Sequence, residues 1–311
     1  MWLPLCAAVF DCNVVPCYHP IKAFRDSSGG VVFVERGDIV ASLYLPCGQC
    51  VGCRLERSRQ WAMRCMHEAS LYKRNCFITL TYRDDCFPAN GSLNYRDFQL
   101  FMKRLRKSFP NSRIRFYMCG EYGEDFNRPH FHACLFNFDF EDKVPVRLLS
   151  GSGSKLFKSK TLERLWPFGY GSIGAVTFES AAYVARYVMK KVNGDRAKDH
   201  YKVVDSDGVI NWRTPEFNKM SLRPGIGAQW MERFVSDVYP DGNVVVRGHE
   251  SKSPRYYDKR YSKLDPLGHE AMIFERELSS LERWEDQTDE RLKVREQVAT
   301  ARIRSLKRTL S

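Results

Sequence analysis

No apolar run in this 311-residue chain is long enough to cross a bilayer as a helix, which leaves no membrane-spanning helix to consider. The opening WLPLCAAVF is short, lacks a basic leader and runs directly into DCNVVPC, so it does not read as a cleavable signal. Acidic residues are in deficit, with 37 Asp and Glu against 49 Lys and Arg, a net charge of +12. That balance disfavours an acidic partner and favours a polyanion, most economically nucleic acid. No internal repeat is visible. The cysteine total, 11, is odd, and Cys76, Cys119 and Cys134 sit singly inside apolar patterns, which suits buried thiols in a reducing, cytosolic setting without disulfides. Histidine is scarce at seven, and two of the seven stand one residue apart in NRPHFHACLF.

The chain is long enough for one large domain with appendages or for two domains. Residues 1–53 read as strands and loops, ending in CGQCVGC. From Arg54 to Tyr72 apolar residues recur at helical spacing with arginines opposite. CFITLTY (76–82) reads as a strand. Asn94 is placed to cap a helix with Phe98, Phe101, Met102 and Leu105 on one face. A strand at about 114–121, the turn YGEDFN and the histidine segment form a β-hairpin. Residues 144–172 read as loop-rich, a second helix carries AAYVARYVMKK, and the stretch after about 193 weakens into polar loops that include MSLRPGIGAQWMERF. Residues 263–311 are helical in composition and balance ten acidic against ten basic residues, so the whole excess of positive charge lies before them. The expected organisation is 1–53, a core at 54–195, a loop-rich extension at 196–262 and a helical tail at 263–311.

Side chains alternate along a strand, so His130 and His132 share a face while Phe131 points away into the core. If residue 121 pairs with residue 130, Glu121 projects from that same face, and two imidazoles and a carboxylate come within reach of one divalent cation. The competing account is two polar residues on a sheet with Glu121 bridging outward, and a slip of one residue would turn Glu121 away. Three protein ligands leave positions open for substrate. The mixed nitrogen and oxygen set suits Mn²⁺ or Mg²⁺ on phosphate oxygens, with Zn²⁺ and Fe²⁺ as alternatives.

Tyr183 and Tyr187 lie four apart on the second helix, hence on one face, with Arg186, Lys190 and Lys191 beside them. An aromatic packing stripe is one reading. The other is a pair of nucleophiles: a phenol with an ordinary pKa of about 10 needs a nearby cation to favour phenolate and a metal to polarise the electrophile. Lys190 would serve the first need and the hairpin cation the second.

FITLTY, GEYGEDFNRPHFHACLF and YVARYVMKK, in that order, resemble the three motifs of the HUH endonucleases that initiate rolling-circle replication. PCGQCVGCRLERSRQWAMRC, MSLRPGIGAQW and PRYYDKRY look like the microvirus group of the gokushovirus type, so the likeness covers most of residues 17–262. The resemblance implies an α+β fold: a central antiparallel sheet of about five strands with flanking helices and a ferredoxin- or RRM-like core, plus an N-terminal Cys-rich element and a C-terminal helix. It implies His130, His132 and Glu121 on a divalent cation, Mg²⁺ or Mn²⁺, with Tyr183 and Tyr187 as paired nucleophiles. It further implies nicking of origin DNA, single-stranded or in the supercoiled double-stranded replicative form, a 5′-phosphotyrosine link, host helicase and DNA polymerase as partners, and work in the host bacterial cytoplasm.

Cys47, Cys50 and Cys53 form a C-x2-C-x2-C run that a fourth ligand, Cys17 or His19, would complete as a structural Zn²⁺ site, with Gly48 and Gly52 suiting its tight turns. Buried thiols and an iron–sulfur cluster are the other readings. Arg54, Arg57, Arg59 and Arg64 follow on one helix and, with Arg186 and Lys191, are the candidate phosphate contacts; a solvated charged face is the plainer alternative. Rival functions are a non-catalytic, zinc-containing DNA-binding protein and a metal enzyme of other chemistry, an oxygenase or hydrolase.

Overall fold

The computed structural model describes residues 17–305 apart from 124–126, 150–154, 191–193, 195, 205–206, 247 and 283; for a few more, among them 187–190, it describes the backbone alone. The chain forms two compact units. One unites the residues up to Arg57 with Ser236–Lys307, and the other is built from Ser58–Val235.

The first unit opens with β1 (Ile21–Asp26), β2 (Val31–Val32) and β3 (Ile39–Leu45), a small antiparallel sheet in the order β2-β1-β3. Helix α1 (Val51–Ser70) then carries the chain into the second unit. There the sequence follows β4 (Asn75–Tyr82), α2 (Tyr95–Ser108), β5 (Arg115–Tyr122), β6 (Pro129–Phe136), β7 (Val144–Leu149), β8 (Lys155–Lys158), α3 (Lys160–Leu165), β9 (Gly169–Gly174) and α4 (Phe178–Lys190). After it come α5 (Arg196–Tyr201), the hairpin β10 (Lys202–Val204) and β11 (Ile210–Trp212), β12 (Phe217–Met220) and α6 (Ala228–Arg233).

An antiparallel sheet in the order β12-β5-β6-β4-β9-β8-β7 is the frame of the second unit, an α+β architecture. It has seven strands where about five are expected. The extra strands are short, and three or four residues of β8 or β12 are too few for an alternating pattern to stand out from a loop. Residues 144–172, read as loop-rich, therefore hold β7, β8, α3 and β9, and the polar stretch after 193 returns to the sheet as β12. In β4 the alternation is explicit: Cys76, Ile78, Leu80 and Tyr82 are buried on one face, and Phe77, Thr79 and Thr81 are only partly covered on the other. Asn94 caps α2, its side chain accepting from Arg96 N–H at 3.1 Å, and Phe98, Phe101, Met102 and Leu105 pack beneath the sheet. Phe131 lies fully buried in that core beside Phe98, Tyr82 and Trp166, pointing away from the histidines that flank it.

The segment MSLRPGIGAQW docks on α1 and the start of β5 rather than hanging free. Arg115 Nε meets Glu68 Oε1 at 2.5 Å, with both side chains almost wholly buried; Glu68 Oε2 accepts from Gly227 N–H at 2.7 Å, and Arg115 donates to Pro224 O at 2.8 Å. Every oxygen of the carboxylate is thus engaged, which is what a buried ion pair requires to persist. One turn away His67 stacks on Trp230 at 3.6 Å between ring centroids. Burial pulls the His67 pKa down to about 4, so the folded protein keeps this imidazole neutral. The unfolded chain binds the proton from its ordinary value of about 6.5 downward, so this contribution is complete above pH 6.5 and is lost progressively towards pH 4, by up to roughly 3 kcal/mol. Thermal melts across that window should therefore fall more steeply for the wild type than for His67→Gln; parallel curves would contradict this.

The rest of the first unit comprises α7 (Val235–Val238), the hairpin β13 (Asn243–Val246) and β14 (His249–Lys252), α8 (Arg255–Leu264), α9 (Pro266–Leu281) and α10 (Asp289–Ser305). The helical tail is thus two helices. PRYYDKRY supplies a buried hub: Asp258 accepts from Tyr239 at 2.8 Å, Ser253 at 2.5 Å and Arg276 at 2.8 Å, and Tyr239 stacks on Tyr261 at 4.0 Å. No helix among the described residues is long and apolar enough to cross a membrane.

Candidate active site

The β5–β6 hairpin pairs Glu121 with His130 and Cys119 with His132, so the two histidines and the carboxylate rise from one face near the middle of the sheet. Glu121 is 1 % exposed and His132 5 %; His130 keeps a partly open edge. Both imidazole Nε2 atoms reach the same oxygen, Glu121 Oε1, at 3.0 Å from His130 and 2.7 Å from His132. Burial alone would raise the carboxyl pKa, but the hydrogen bonds from the two histidines outweigh it and hold Glu121 below the usual carboxylate range. His132 is oriented from behind: its Nδ1 lies 2.9 Å from Thr79 Oγ1, and Phe77 stacks on the ring at 5.7 Å. A residue behind a ligand that fixes ring and tautomer is a usual companion of metal-binding histidine. Thr79 carries no motif of its own in the sequence, although its place opposite His132 in the β4–β6 register follows from strand alternation.

Helix α4 brings Tyr183 to this cluster. Its hydroxyl lies 3.4 Å from Glu121 Oε1 and its ring stands edge-on to His132 at 5.1 Å and 90°. Two side chains hold the helix at the carbonyls on either side of that tyrosine. Ser58 donates to Ala182 O at 3.1 Å, and Asn218 donates to Val184 O at 2.9 Å while its amide also meets the Tyr117 hydroxyl at 3.2 Å. Neither carries a sequence signal of its own, because a lone Ser in a helix and a lone Asn in a polar stretch fit many roles. Tyr187 and Lys190 occupy α4 one and two turns further on, with side chains outside the described residues; Lys191 lies outside them altogether, and Arg186 is partly exposed.

The three donor groups suit a divalent cation. Two ligand atoms each at about 2.1 Å from an ion and at right angles stand about 3 Å apart. The His130, His132 and Glu121 atoms already lie within 4.8 Å of one another, at separations close to that value.

A second cluster belongs to the first unit. The sulfurs of Cys17, Cys47, Cys50 and Cys53 all fall within 4.8 Å of one another, with Cys47–Cys53 and Cys17–Cys50 at 4.0 Å. Backbone N–H groups aim at them: Tyr18 and Cys53 at Cys50, Cys47 at Cys17, and Gln49 and Cys50 at Cys47, at 3.1–3.5 Å. Burial opposes ionisation, but the N–H groups of Cys50 and Gln49 prevail at Cys47 and lower its pKa to about 7. Cys17, not His19, joins the three; His19 pairs instead with Glu296 at 2.8 Å. Gly48 takes the left-handed conformation the turn requires, at φ 74°, whereas Gly52 lies in the first turn of α1.

The arginine series on α1 divides, which corrects the expectation of four phosphate contacts along one face. Arg57 donates to Gly48 O at 3.2 Å from the surface, and Arg54 is partly exposed. Arg59 and Arg64 are 6 % and 9 % exposed. Arg59 meets the Met63 sulfur at 2.9 Å, and Arg64 lies over the Trp61 ring at 3.9 Å and donates to Ile226 O at 3.0 Å. Guanidinium tolerates such sites when its N–H groups and flat face find partners, so these two serve packing.

Comparison with known proteins agrees with this arrangement. The family model for replication-associated protein ORF2 and its like matches residues 75–192, the stretch from β4 to just past α4. The chain is 33 % identical over 289 residues to replication-associated protein VP4 of Bdellovibrio phage phiMH2K, covering 88 % of this chain and 87 % of that one. It is 34 % identical to replication-associated protein ORF2 of Spiroplasma virus 4 over 70 % of this chain and 68 % of the relative, and 28 % identical to replication-associated protein ORF4 of Chlamydia phage 1 over 79 % and 56 %. No solved structure matches. With a curated relative aligned along almost the whole length of both chains, and the family match centred on the histidine hairpin and the tyrosine helix, the chain belongs to the microvirus-type replication-associated proteins of phages.

Proposed function

We propose that this protein initiates rolling-circle replication of a circular single-stranded DNA genome by nicking and rejoining origin DNA through a tyrosine. The observation that carries the reading is the convergence of a phenol with two imidazoles and a carboxylate: Tyr183 stands 3.4 Å from the Glu121 oxygen that both histidines share. A packing stripe would have no need to end on a buried ionised group. The Tyr183 oxygen attacks the scissile phosphorus; a bond from that oxygen to phosphorus forms as the bond to the sugar 3′ oxygen breaks. The products are a 5′-phosphotyrosine and a 3′ hydroxyl, and the phenol's proton is made good on the departing oxygen through solvent.

His130, His132 and Glu121 would hold a divalent cation, Mg²⁺ or Mn²⁺, whose chemistry is to place positive charge beside the phosphate oxygens. Thr79 and Phe77 fix the His132 ring, and Ser58 and Asn218 fix the helix that presents Tyr183. Tyr187, one turn along α4, is the second nucleophile, for the cut that follows a round of synthesis, and Lys190 supplies positive charge beside it. Arg54, Arg57, Arg186 and Lys191 contact phosphates. Cys17, Cys47, Cys50 and Cys53 hold a structural Zn²⁺. The 3′ hydroxyl is extended by a host DNA polymerase behind a host helicase, in the bacterial cytoplasm.

The test is to incubate the full chain with Mn²⁺ and a labelled single-stranded origin oligonucleotide and to look for a covalent adduct by denaturing electrophoresis. The expected result is a label-bearing protein band and a freed 3′-hydroxyl fragment. Binding without any adduct would make the chain a DNA-binding module instead.

A further inference from the structure

Away from the tyrosine site, the second unit carries a cleft of about 540 Å³ between the C-terminal end of α2 with the loop that follows it and the segment after β12. Its lining includes Arg106, Arg113, Arg115, Arg223, Leu222 and Phe116, and no acidic residue. Arg115 is neutralised by Glu68 beneath the surface. Arg106, Arg113 and Arg223 are exposed, and none of the three forms an ion pair among the described residues. Carbonyls hold two of them in place: Arg106 donates to Ile114 O at 3.1 Å, and Arg113 to Arg223 O at 3.4 Å. Arg106 also lies 5.7 Å from the Phe116 ring. A guanidinium anchored by a neutral acceptor keeps its full charge and several outward N–H groups, which matches the demands of phosphate.

We propose that this cleft grips the sugar–phosphate backbone of duplex DNA flanking the cut site, a second anchor distinct from the contacts around Tyr183. The lining has no Asn or Gln to read base edges, and its one aromatic ring is buried beneath Arg106, so it offers neither direct readout nor a platform for unpaired bases. What remains suits a backbone contact without sequence preference. Strand β5 links the two places: Arg115 and Glu121 are six residues apart on it, about 20 Å at roughly 3.3 Å per residue. Along one strand of a duplex that spacing corresponds to about six nucleotides.

The inference rests on the proposed nicking reaction only for what sits at the other anchor. Its test uses two fluorescein-labelled probes: a single-stranded origin oligonucleotide of about 12 nucleotides, and the same oligonucleotide with a duplex arm of about 12 base pairs, the arm being placed on either side in turn, each spanning more than the six-nucleotide separation. Affinities are measured by anisotropy over a series of salt concentrations, before any divalent cation is added. In the wild type one of the two armed probes should bind at least about tenfold more tightly than the bare one, with a steeper salt dependence. The combined Arg106→Gln, Arg113→Gln and Arg223→Gln variant should lose that gain and flatten the slope by about two to three units, while its affinity for the bare probe and its melting temperature stay close to wild type. Lysine at the three positions should restore most of the gain. The proposal is overturned if neither arm helps the wild type, or if the glutamine variant binds the armed probe as the wild type does. Adduct formation on the bare probe reports separately on the nicking reaction, so the two ideas fail independently.

Discussion

Adduct formation disappears, by a factor of about 10³ or more, when Tyr183→Phe and Tyr187→Phe are combined, while the fold and the affinity for origin DNA are retained; this is the expected result of removing both phenols. The single Tyr183→Phe change should lower the rate steeply and leave whatever Tyr187 can supply. Phenylalanine keeps the ring edge that faces His132 at 5.1 Å and gives up only a 3.4 Å contact to Glu121, so little stability is at stake. Circular dichroism and a melting curve establish that the variant is folded. Denaturing electrophoresis of the reaction with labelled origin oligonucleotide then measures the adduct, and a wild-type yield from the double variant would remove the tyrosines from the mechanism. His132→Ala should match the double variant in activity for a different reason, through loss of the cation, and unlike it should not respond to added Mn²⁺ in binding.

The second large effect is expected at the cysteines. Metal analysis of the purified protein should find one zinc per chain, and Cys50→Ser should find none. Cys50 is the ligand with most to lose: its sulfur accepts N–H groups from Tyr18 and Cys53 and lies 4.0 Å from Cys17. It also packs with Tyr18 against Leu292 of α10, with Ala299 alongside. A structural zinc contributes on the order of 10 kcal/mol of folding free energy in small domains, so its removal should unravel the surroundings locally. Limited proteolysis should open residues 17–50 and α10 together in Cys50→Ser and in chelator-treated wild type. A protein with no bound zinc, and a Cys50→Ser variant as protease-resistant as the parent, would leave four clustered thiols and nothing more.

The site is more legible in the sequence than the surface around it. Period-two alternation puts His130 and His132 on one face whatever the tertiary context, and a tight hairpin leaves few registers, so Glu121 opposite His130 follows from local rules. Tyr183 is reachable because helical spacing and the neighbouring cations set it apart. Arg59 and Arg64 mislead because a charge pattern on a helix records hydrophilicity, whereas their burial depends on Trp61, Met63 and the Ile226 carbonyl, the last supplied to Arg64 from 162 residues away. The same distance problem hides the joining of the N-terminal strands with the C-terminal helices in one unit, and the capture of MSLRPGIG by Glu68 and Arg115. Short edge strands escape for want of length.

Thr79 bears on how the centre passes between its states. With an ionised Glu121 accepting from His132 Nε2–H, the Nδ1 atom needs a donor, and the threonine hydroxyl provides one at 2.9 Å. When Nε2 instead offers its lone pair to a cation, the proton resides on Nδ1, and the same hydroxyl has only to rotate to receive it. The ring therefore serves both tautomers in one orientation. A Thr79→Val variant, isosteric but unable to reverse roles, would have to reorient its imidazole with each exchange of cation, so the hydroxyl sets how quickly the centre is recharged rather than whether it can be.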